Sequence, residues 1–162
     1  MLFKLGYFYQ VRFFTPNMIP VSTACSDPTW YHYGRGPQFT FLDKNQVING
    51  LRCQELAPGY MCEGLCDGGH DKGCSPDSCD FLKVYRMQLE TTFNIEDFLI
   101  RCQIAAKKTQ ELNEYTNEPI IVLLVHEAPD NPCSERKPLL DFFNSHGVQM
   151  EELQTIDLKT KI

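Results

Sequence analysis

A glutamate, a cysteine and an arginine lie close together where an aliphatic run gives way to a helix pattern. Glu127 follows the run, and Cys133 and Arg136 fall at the first turn of the predicted helix. A helix N-terminus and a nearby guanidinium both lower the pKa of a thiol, which makes it a better nucleophile. The same surroundings attract a phosphate or a carboxylate. All three residues are therefore catalytic candidates; alternatively, Cys133 is a small buried residue and Arg136 belongs to a solvated helix turn.

Four further side chains are candidate ligand-binding residues of the same site. His126 directly follows the aliphatic run and, like Glu127, is a candidate for acid–base work. Ser134 is a candidate cap of the helix. Trp30 and Arg35 lie in a segment rich in glycine and aromatic residues, and such loops often form part of a site, although packing is the more usual role of the aromatic residues.

A second chemical pattern lies between residues 58 and 80, where four cysteines follow the spacing C-x3-C-x7-C-x4-C: Cys62, Cys66, Cys74 and Cys79. Glycine permits the tight turns by which four thiolates converge on a tetrahedral ion, and five of the ten glycines lie in this segment. Metal binding would order a segment that is too poor in apolar residues to fold alone. We predict a structural zinc ion with no open coordination position.

Two other interpretations of this cysteine-rich loop stay open. An iron–sulfur cluster has the same requirement for four thiolates. Without a metal, the segment would be a flexible loop with reduced or partly oxidised cysteines. His70, between the inner two cysteines, could also replace one zinc ligand without opening the site.

The elements that position the first site form a βαβ unit. Ile120 to Val125 is an unbroken aliphatic run, which is typical of a strand buried on both faces. The helix that follows begins near Ser134 or Glu135 and ends near Gly147, a left-handed cap, and Val148 starts another strand. In such units ligands bind beyond the carboxyl end of the strand, where Glu127 and Cys133 lie.

Strict alternation predicts a strand over residues 3–13, and a second short strand covers Ile19 to Thr23. Residues 29–50 are predicted to form a long ordered loop, followed by a short edge strand from Leu51 to Leu56.

Helical spacing predicts one helix from about Ser78 to Leu89 and another that follows the cap residue Asn94 and ends near Tyr115. The second helix is expected to bury Phe98, Leu99, Cys102, Ala105, Ala106 and Leu112. With four or five strands and three helices, the chain is predicted to be a single three-layer α/β domain, residues 1–162, with a small, largely parallel or mixed sheet and the cysteine-rich loop inserted at 58–80.

Composition and charge narrow the function classes. The net charge of −6 argues against non-specific binding to duplex DNA, although a local basic pocket is compatible with it. No apolar run reaches the roughly 18 residues of a membrane helix. The N-terminal residues resemble a strand more than a signal peptide, so we expect a cytoplasmic location with reduced cysteines.

The segment IIVLLVHEAPDNPCSERKPLLDFFNSHGVQMEEL resembles the closing motif of the domain-of-unknown-function 488 family. The resemblance continues through PNMIPVSTACSDPTWYH, VINGLRCQELAPG, CEGLC and CDFLKVYRMQL and thus covers nearly the whole chain, in a cysteine-rich branch found in bacteria and phages. It implies a cytoplasmic α/β domain without an established activity, and suspected site residues at Glu127, Cys133 and Arg136. Relatives usually read Cys-His-Arg at the loop, where this chain has Cys133-Ser134-Glu135-Arg136 and no histidine. Many relatives also carry an arginine in or just after the second strand, where this chain has Ala24 and Cys25.

Three functions are compatible with these patterns. The first is binding of a small anionic, nucleotide-like molecule at residues 127–136, with or without catalysis. The second is a non-enzymatic module in which exposed Trp30, Tyr31 and Arg35 contact a protein or a nucleic-acid end. The third is a thiol redox protein that uses Cys133 with a resolving partner such as Cys25.

Overall fold

A computed structural model describes residues 1–33, 48–59, 62, 65, 75–131, 134–154 and 158. In this part of the chain a six-stranded sheet has the order β3-β4-β2-β5-β1-β6, and every pairing is parallel. The strands are β1 (Leu2–Tyr7), β2 (Met18–Ser22), β3 (Tyr31–Tyr33), β4 (Ile48–Arg52), β5 (Ile120–Val125) and β6 (Met150–Glu152). The predicted α/β class and parallel sheet are confirmed, with more strands than the four or five expected.

The central strand β5 organises the core. Its neighbours start in register with it, since both Leu2 of β1 and Met18 of β2 pair with Ile120. Ile121, Leu123 and Val125 point to one face of the sheet, and Val122 and Leu124 point to the other. All five are at most 3% exposed, which confirms that this aliphatic run is buried on both faces.

The two faces of the sheet are covered differently. The described α-helices are α1 (Asp80–Thr92), α2 (Ile95–Asn113) and α3 (Arg136–Ser145), and their buried residues pack together on one face. The opposite face is covered by Phe8, Val11, Phe14, Tyr31 and Leu153. In the described part of the chain, the domain therefore consists of a helical layer, the sheet and a thinner, largely aromatic layer.

The strand predicted over residues 3–13 ends at Tyr7, and Phe8–Phe13 form a 3-10 helix instead. The pairing with β5 stops at Tyr7, so the residues beyond it have no ladder partner there. Gln10 Oε1 accepts the Tyr7 amide hydrogen at 3.1 Å and turns the chain. Phe8, Val11 and Phe14 are all buried, and their three-residue spacing matches a 3-10 helix.

Two strands replace parts of the loop predicted over residues 29–50. The prediction of an edge strand at Leu51–Leu56 was wrong, because β4 ends at Arg52 and lies between β3 and β2. Tyr31 is buried, with its hydroxyl 2.6 Å from the Leu51 carbonyl oxygen, which ties β3 to β4. A side chain at Gly50 would meet that hydroxyl, since an added Cβ would lie 2.1 Å from it.

The helices follow the predicted pattern with one exception. Asn94 Oδ1 accepts the Asp97 amide hydrogen at 3.0 Å, and Gly147 has a φ of 82°, so both predicted caps are confirmed. Leu112, predicted to be buried, is 55% exposed. The buried Tyr115 packs against this helix, with its hydroxyl 3.1 Å from the Ala106 carbonyl oxygen. None of the helices in the described ranges has the length and apolar character needed to cross a membrane.

Candidate functional site

Because the strands are parallel, β1, β2, β4 and β5 end at the same side of the sheet, here called the carboxyl edge. A hollow of about 170 Å³ opens there between the loops that follow β2 and β5. We call it the strand-end hollow, and it is lined by Thr23, Ala24, Cys25, Ser26, Val125, His126, Glu127 and Glu135. Ligands of parallel α/β sheets bind at this position.

Two residues join the walls of the strand-end hollow. At its base, Thr23 continues the pairing of β2 with β5, since its amide and its hydroxyl both donate to the Leu124 carbonyl oxygen, at 3.1 and 2.9 Å. At the mouth, the exposed ring of His126 places Nε2 2.7 Å from the Ser26 carbonyl oxygen. Since a carbonyl only accepts hydrogen bonds, this contact requires the hydrogen on Nε2.

Arg52, at the end of β4, holds the loop that follows β2. Its Nη2 donates to the carbonyl oxygens of Ala24 and Cys25, each at 2.8 Å. Its Nη1 forms an ion pair with Asp27 at 3.1 Å, and Asp27 also accepts a hydrogen bond from Ser22. Sequence reasoning did not single out Arg52 or Asp27. Neither residue gave a signal, because nothing in the sequence shows that β2 and β4 are neighbours.

Arg136 holds the loop that follows β5 in a similar way. The residue is 5% exposed, and its Nη1 donates to the Glu127 carbonyl oxygen at 2.7 Å. Its Nε donates to Glu152 Oε1 at 2.8 Å, and its Nη2 contacts the second oxygen of the same carboxylate. The structure thus places Arg136 in a buried, bidentate ion pair outside the lining of the strand-end hollow. Ser134, 1% exposed, accepts the Arg136 amide hydrogen at 3.2 Å, but the N-cap position of α3 is Glu135, so the prediction that Ser134 caps the helix was wrong by one residue.

Glu127, which lines the hollow, has a carboxylate oxygen that lacks a hydrogen-bond partner among the described residues. This oxygen, Oε2, is buried. A buried carboxylate oxygen without a partner is costly, and a hydrogen-bond donor from a ligand relieves this cost. Glu127 therefore has the local chemistry expected of a binding or proton-transfer residue.

Two thiols lie close to the strand-end hollow. The exposed Cys25 donates through its thiol to the Pro58 carbonyl oxygen at 3.2 Å, which brings the turn before Cys62 to the same place. Burial is the main cause that raises the pKa of Cys62, and the charges of Cys25 and Glu135 add to this shift. In this surrounding the thiol form of Cys62 is favoured as long as no metal is bound.

Several predicted site residues lie outside the described residues: Cys133, Arg35, Cys66, His70 and Cys74. Of the four predicted zinc ligands, Cys62 and Cys79 are described, and both are buried in the core on the helical side of the sheet. Within the described ranges, no group of three possible metal ligands comes together.

The aromatic residues of the predicted interaction module pack against the core. Trp30 is half-buried, lies outside the lining of the strand-end hollow and contacts Phe8 edge-on, with ring centroids 6.3 Å apart. Tyr31 is 3% exposed, so the prediction that it is an exposed contact residue was wrong. Its hydroxyl bridges β2 and β4, since it contacts the Leu51 carbonyl oxygen of β4 and lies 3.1 Å from the Pro20 carbonyl oxygen of β2.

Comparisons with protein-family models, with curated proteins and with solved structures found no match to this chain. The resemblance to the domain-of-unknown-function 488 family therefore rests on the motifs in the sequence.

Proposed function

We propose that the strand-end hollow binds a small ligand that donates a hydrogen bond or a proton to Glu127. The observation that carries this proposal is the buried Glu127 Oε2, which has no partner among the described residues. The position at the carboxyl edge of a parallel sheet supports it independently. If the ligand is a substrate, Glu127 is the proton acceptor that the geometry favours.

The charges of the lining indicate which part of a ligand enters the hollow. The lining includes the carboxylates of Glu127 and Glu135 and, among the described residues, neither lysine nor arginine. The guanidinium of Arg136, predicted to attract an anion, is instead paired with Glu152. We therefore propose that hydroxyl or amino groups of the ligand enter the hollow, and that any anionic group of a nucleotide-like ligand stays outside it.

Backbone amide chemical shifts, measured by NMR during titration with D-ribose and with adenosine, test this proposal. The amides of Ala24–Asp27 and of His126 and Glu127 should shift with at least one of these probes. Glu127→Ala should abolish the shifts, whereas Glu111→Ala, at an exposed position of α2, should preserve them. Absence of shifts at these amides with both probes, or shifts unchanged in Glu127→Ala, would contradict the proposal.

We also propose that Cys62, Cys66, Cys74 and Cys79 hold a structural zinc ion. Cys62 and Cys79 support this, because both are free thiols buried on the same side of the sheet although they lie far apart in the loop. Zinc held by four thiolates would order the loop and leave no reactive position, so the proposal adds no catalytic step. It requires reduced cysteines, which fits a cytoplasmic location.

Elemental analysis of the purified protein tests the metal proposal. About one zinc per chain is expected, with loss of the metal in Cys79→Ser and retention in Cys102→Ser, a buried cysteine of α2 outside the loop. Iron with visible absorption would indicate the cluster alternative, and a folded protein without metal would overturn both.

A further inference from the structure

A partly exposed aromatic and cationic stack lies at the carboxyl edge, next to the strand-end hollow. Tyr7 ends β1, and the 3-10 helix that follows brings the ring of Tyr9 nearly parallel to it, with centroids 6.3 Å apart and an interplanar angle of 17°. The guanidinium carbon of Arg12 lies 4.6 Å from the Tyr9 ring centroid. The ring of Tyr9 thus has an ordered position although the residue is 55% exposed.

Other side chains attach the 3-10 helix to the sheet. The helix is attached to the sheet by Phe8, Val11 and Phe14, which are all buried, whereas Tyr9 and Arg12 are exposed. A single exposed tyrosine needs no explanation, but here it is stacked on a second ring and accompanied by a cation. Stacked aromatic rings with an arginine are a platform on which planar heterocycles bind.

The stack and the strand-end hollow are adjacent. Tyr7 pairs with Val125, which lines the hollow. The ring of Phe8 lies 4.9 Å from the ring of His126, another lining residue. Because β1 and β5 are neighbours in the sheet, the end of β1 that carries Tyr7 lies beside the end of β5 at which the hollow opens. One small molecule could therefore contact both.

We propose that the ligand of the strand-end hollow is a nucleoside phosphate whose base stacks on Tyr9. Its sugar hydroxyls donate to Glu127, and its phosphate lies at Arg12, outside the acidic hollow. This inference rests on the proposed function and adds the ligand class. It also places the anionic group where a guanidinium is exposed, because Arg136 is buried in its pair with Glu152.

Isothermal titration of the full chain with adenosine 5′-monophosphate and with ribose 5-phosphate tests the role of the base. The nucleotide should bind at least about 10-fold more tightly than the sugar phosphate, given the usual strength of base stacking. Tyr9→Leu should remove this difference, whereas Tyr9→Phe should keep it. Arg12→Gln should weaken both ligands and leave adenosine, which has no phosphate, unaffected. Circular dichroism of each variant checks that the exposed substitutions preserve the fold.

The outcomes separate this inference from the proposed function. Equal affinity for the two phosphates, with amide shifts at Ala24–Asp27 and His126, would overturn the stacking and leave the hollow as a binding site. Binding of the nucleotide without shifts at those amides would overturn both. Tighter binding of oligoadenylate than of the mononucleotide would overturn the assignment to a small ligand and indicate a nucleic-acid end.

Discussion

The guanidinium of Arg136 and the carboxylate of Glu152 form a partly buried bidentate ion pair that joins the first turn of α3 to β6, an edge strand. The Arg136 side chain is 6% exposed and that of Glu152 is 27% exposed. The pair also fixes the loop of the strand-end hollow, since Arg136 donates to the Glu127 carbonyl oxygen.

Glu152→Ala should destabilise the protein by about 3 kcal/mol, because it leaves a guanidinium buried without its counter-charge. Urea unfolding followed by circular dichroism measures this. Glu151→Ala is the matched control: it removes an exposed carboxylate from the same strand, paired with Lys4, and should cost less than about 1 kcal/mol. Equal losses of stability in the two variants would show that the Arg136–Glu152 pair contributes no more to stability than an exposed ion pair.

Arg52→Lys should loosen the loop that follows β2 and thereby weaken ligand binding at the hollow. A lysine keeps the charge but cannot make the hydrogen bonds of Arg52 to Ala24, Cys25 and Asp27 together. We expect a loss of stability of about 2 kcal/mol and faster amide exchange in residues 24–27. Arg101→Lys, at an exposed ion pair of α2, is the control and should change neither. Unchanged exchange in Arg52→Lys would show that the loop keeps its shape without this guanidinium.

Stability should fall as the pH rises above about 9 because of two buried thiols. Burial raises the pKa of Cys53 and of Cys102 from 9.0 to about 12 in the folded state. Between these values the unfolded chain loses protons that the folded chain retains, so alkaline pH favours unfolding. Each thiol should contribute a slope of up to about 1.4 kcal/mol per pH unit in this window.

Denaturant unfolding between pH 7 and pH 10.5 measures this effect. The double variant Cys53→Ala, Cys102→Ala should be less stable at pH 7 but show a smaller decrease with pH. An identical decrease in the variant and the parent would contradict the assignment to these thiols.

Gly50→Ala should destabilise the β3–β4 pair by about 1–3 kcal/mol, since the added methyl group overlaps Tyr31. Gly147→Ala is the comparison, because a Cβ added at residue 147 has no atom within 4 Å. The expected loss of stability then comes from the positive φ of 82° at this residue. That cost is about 1 kcal/mol. Thermal unfolding of both variants measures the two losses of stability. A larger decrease in Tm for Gly50→Ala would confirm that close packing against Tyr31, and not backbone conformation, requires glycine at residue 50.

The position of the candidate site could be predicted from the sequence, because a continuous aliphatic strand such as β5 sets both the core and the edge at which the strand-end hollow opens. Its composition could be predicted only in part. Glu127 and His126 follow β5 directly and line the strand-end hollow as expected. Cys25 and Ser26 come from a loop about one hundred residues away, and the contact of His126 with Ser26 depends on strand order.

Strand order also explains the errors elsewhere. Alternation from Phe3 to Phe13 has the period of a strand, but only Leu2–Tyr7 find a neighbour in the sheet. Tyr31 looked like a surface contact residue in a loop because the pairing of β3 with β4 is long-range. The ion pair of Arg136 with Glu152 could not be predicted for the same reason, since Glu152 lies on a strand that pairs with β1.

The arrangement of the two arginines also affects how the hollow opens. Arg52 reaches one wall from β4, and Arg136 reaches the other from α3, so neither wall is shaped by its own strand alone. Outward movement of either wall would break hydrogen bonds to one of these guanidiniums. The pocket should therefore behave as a rigid receptor, with ligand association rates that vary little with temperature beyond diffusion and with no slow isomerisation before capture.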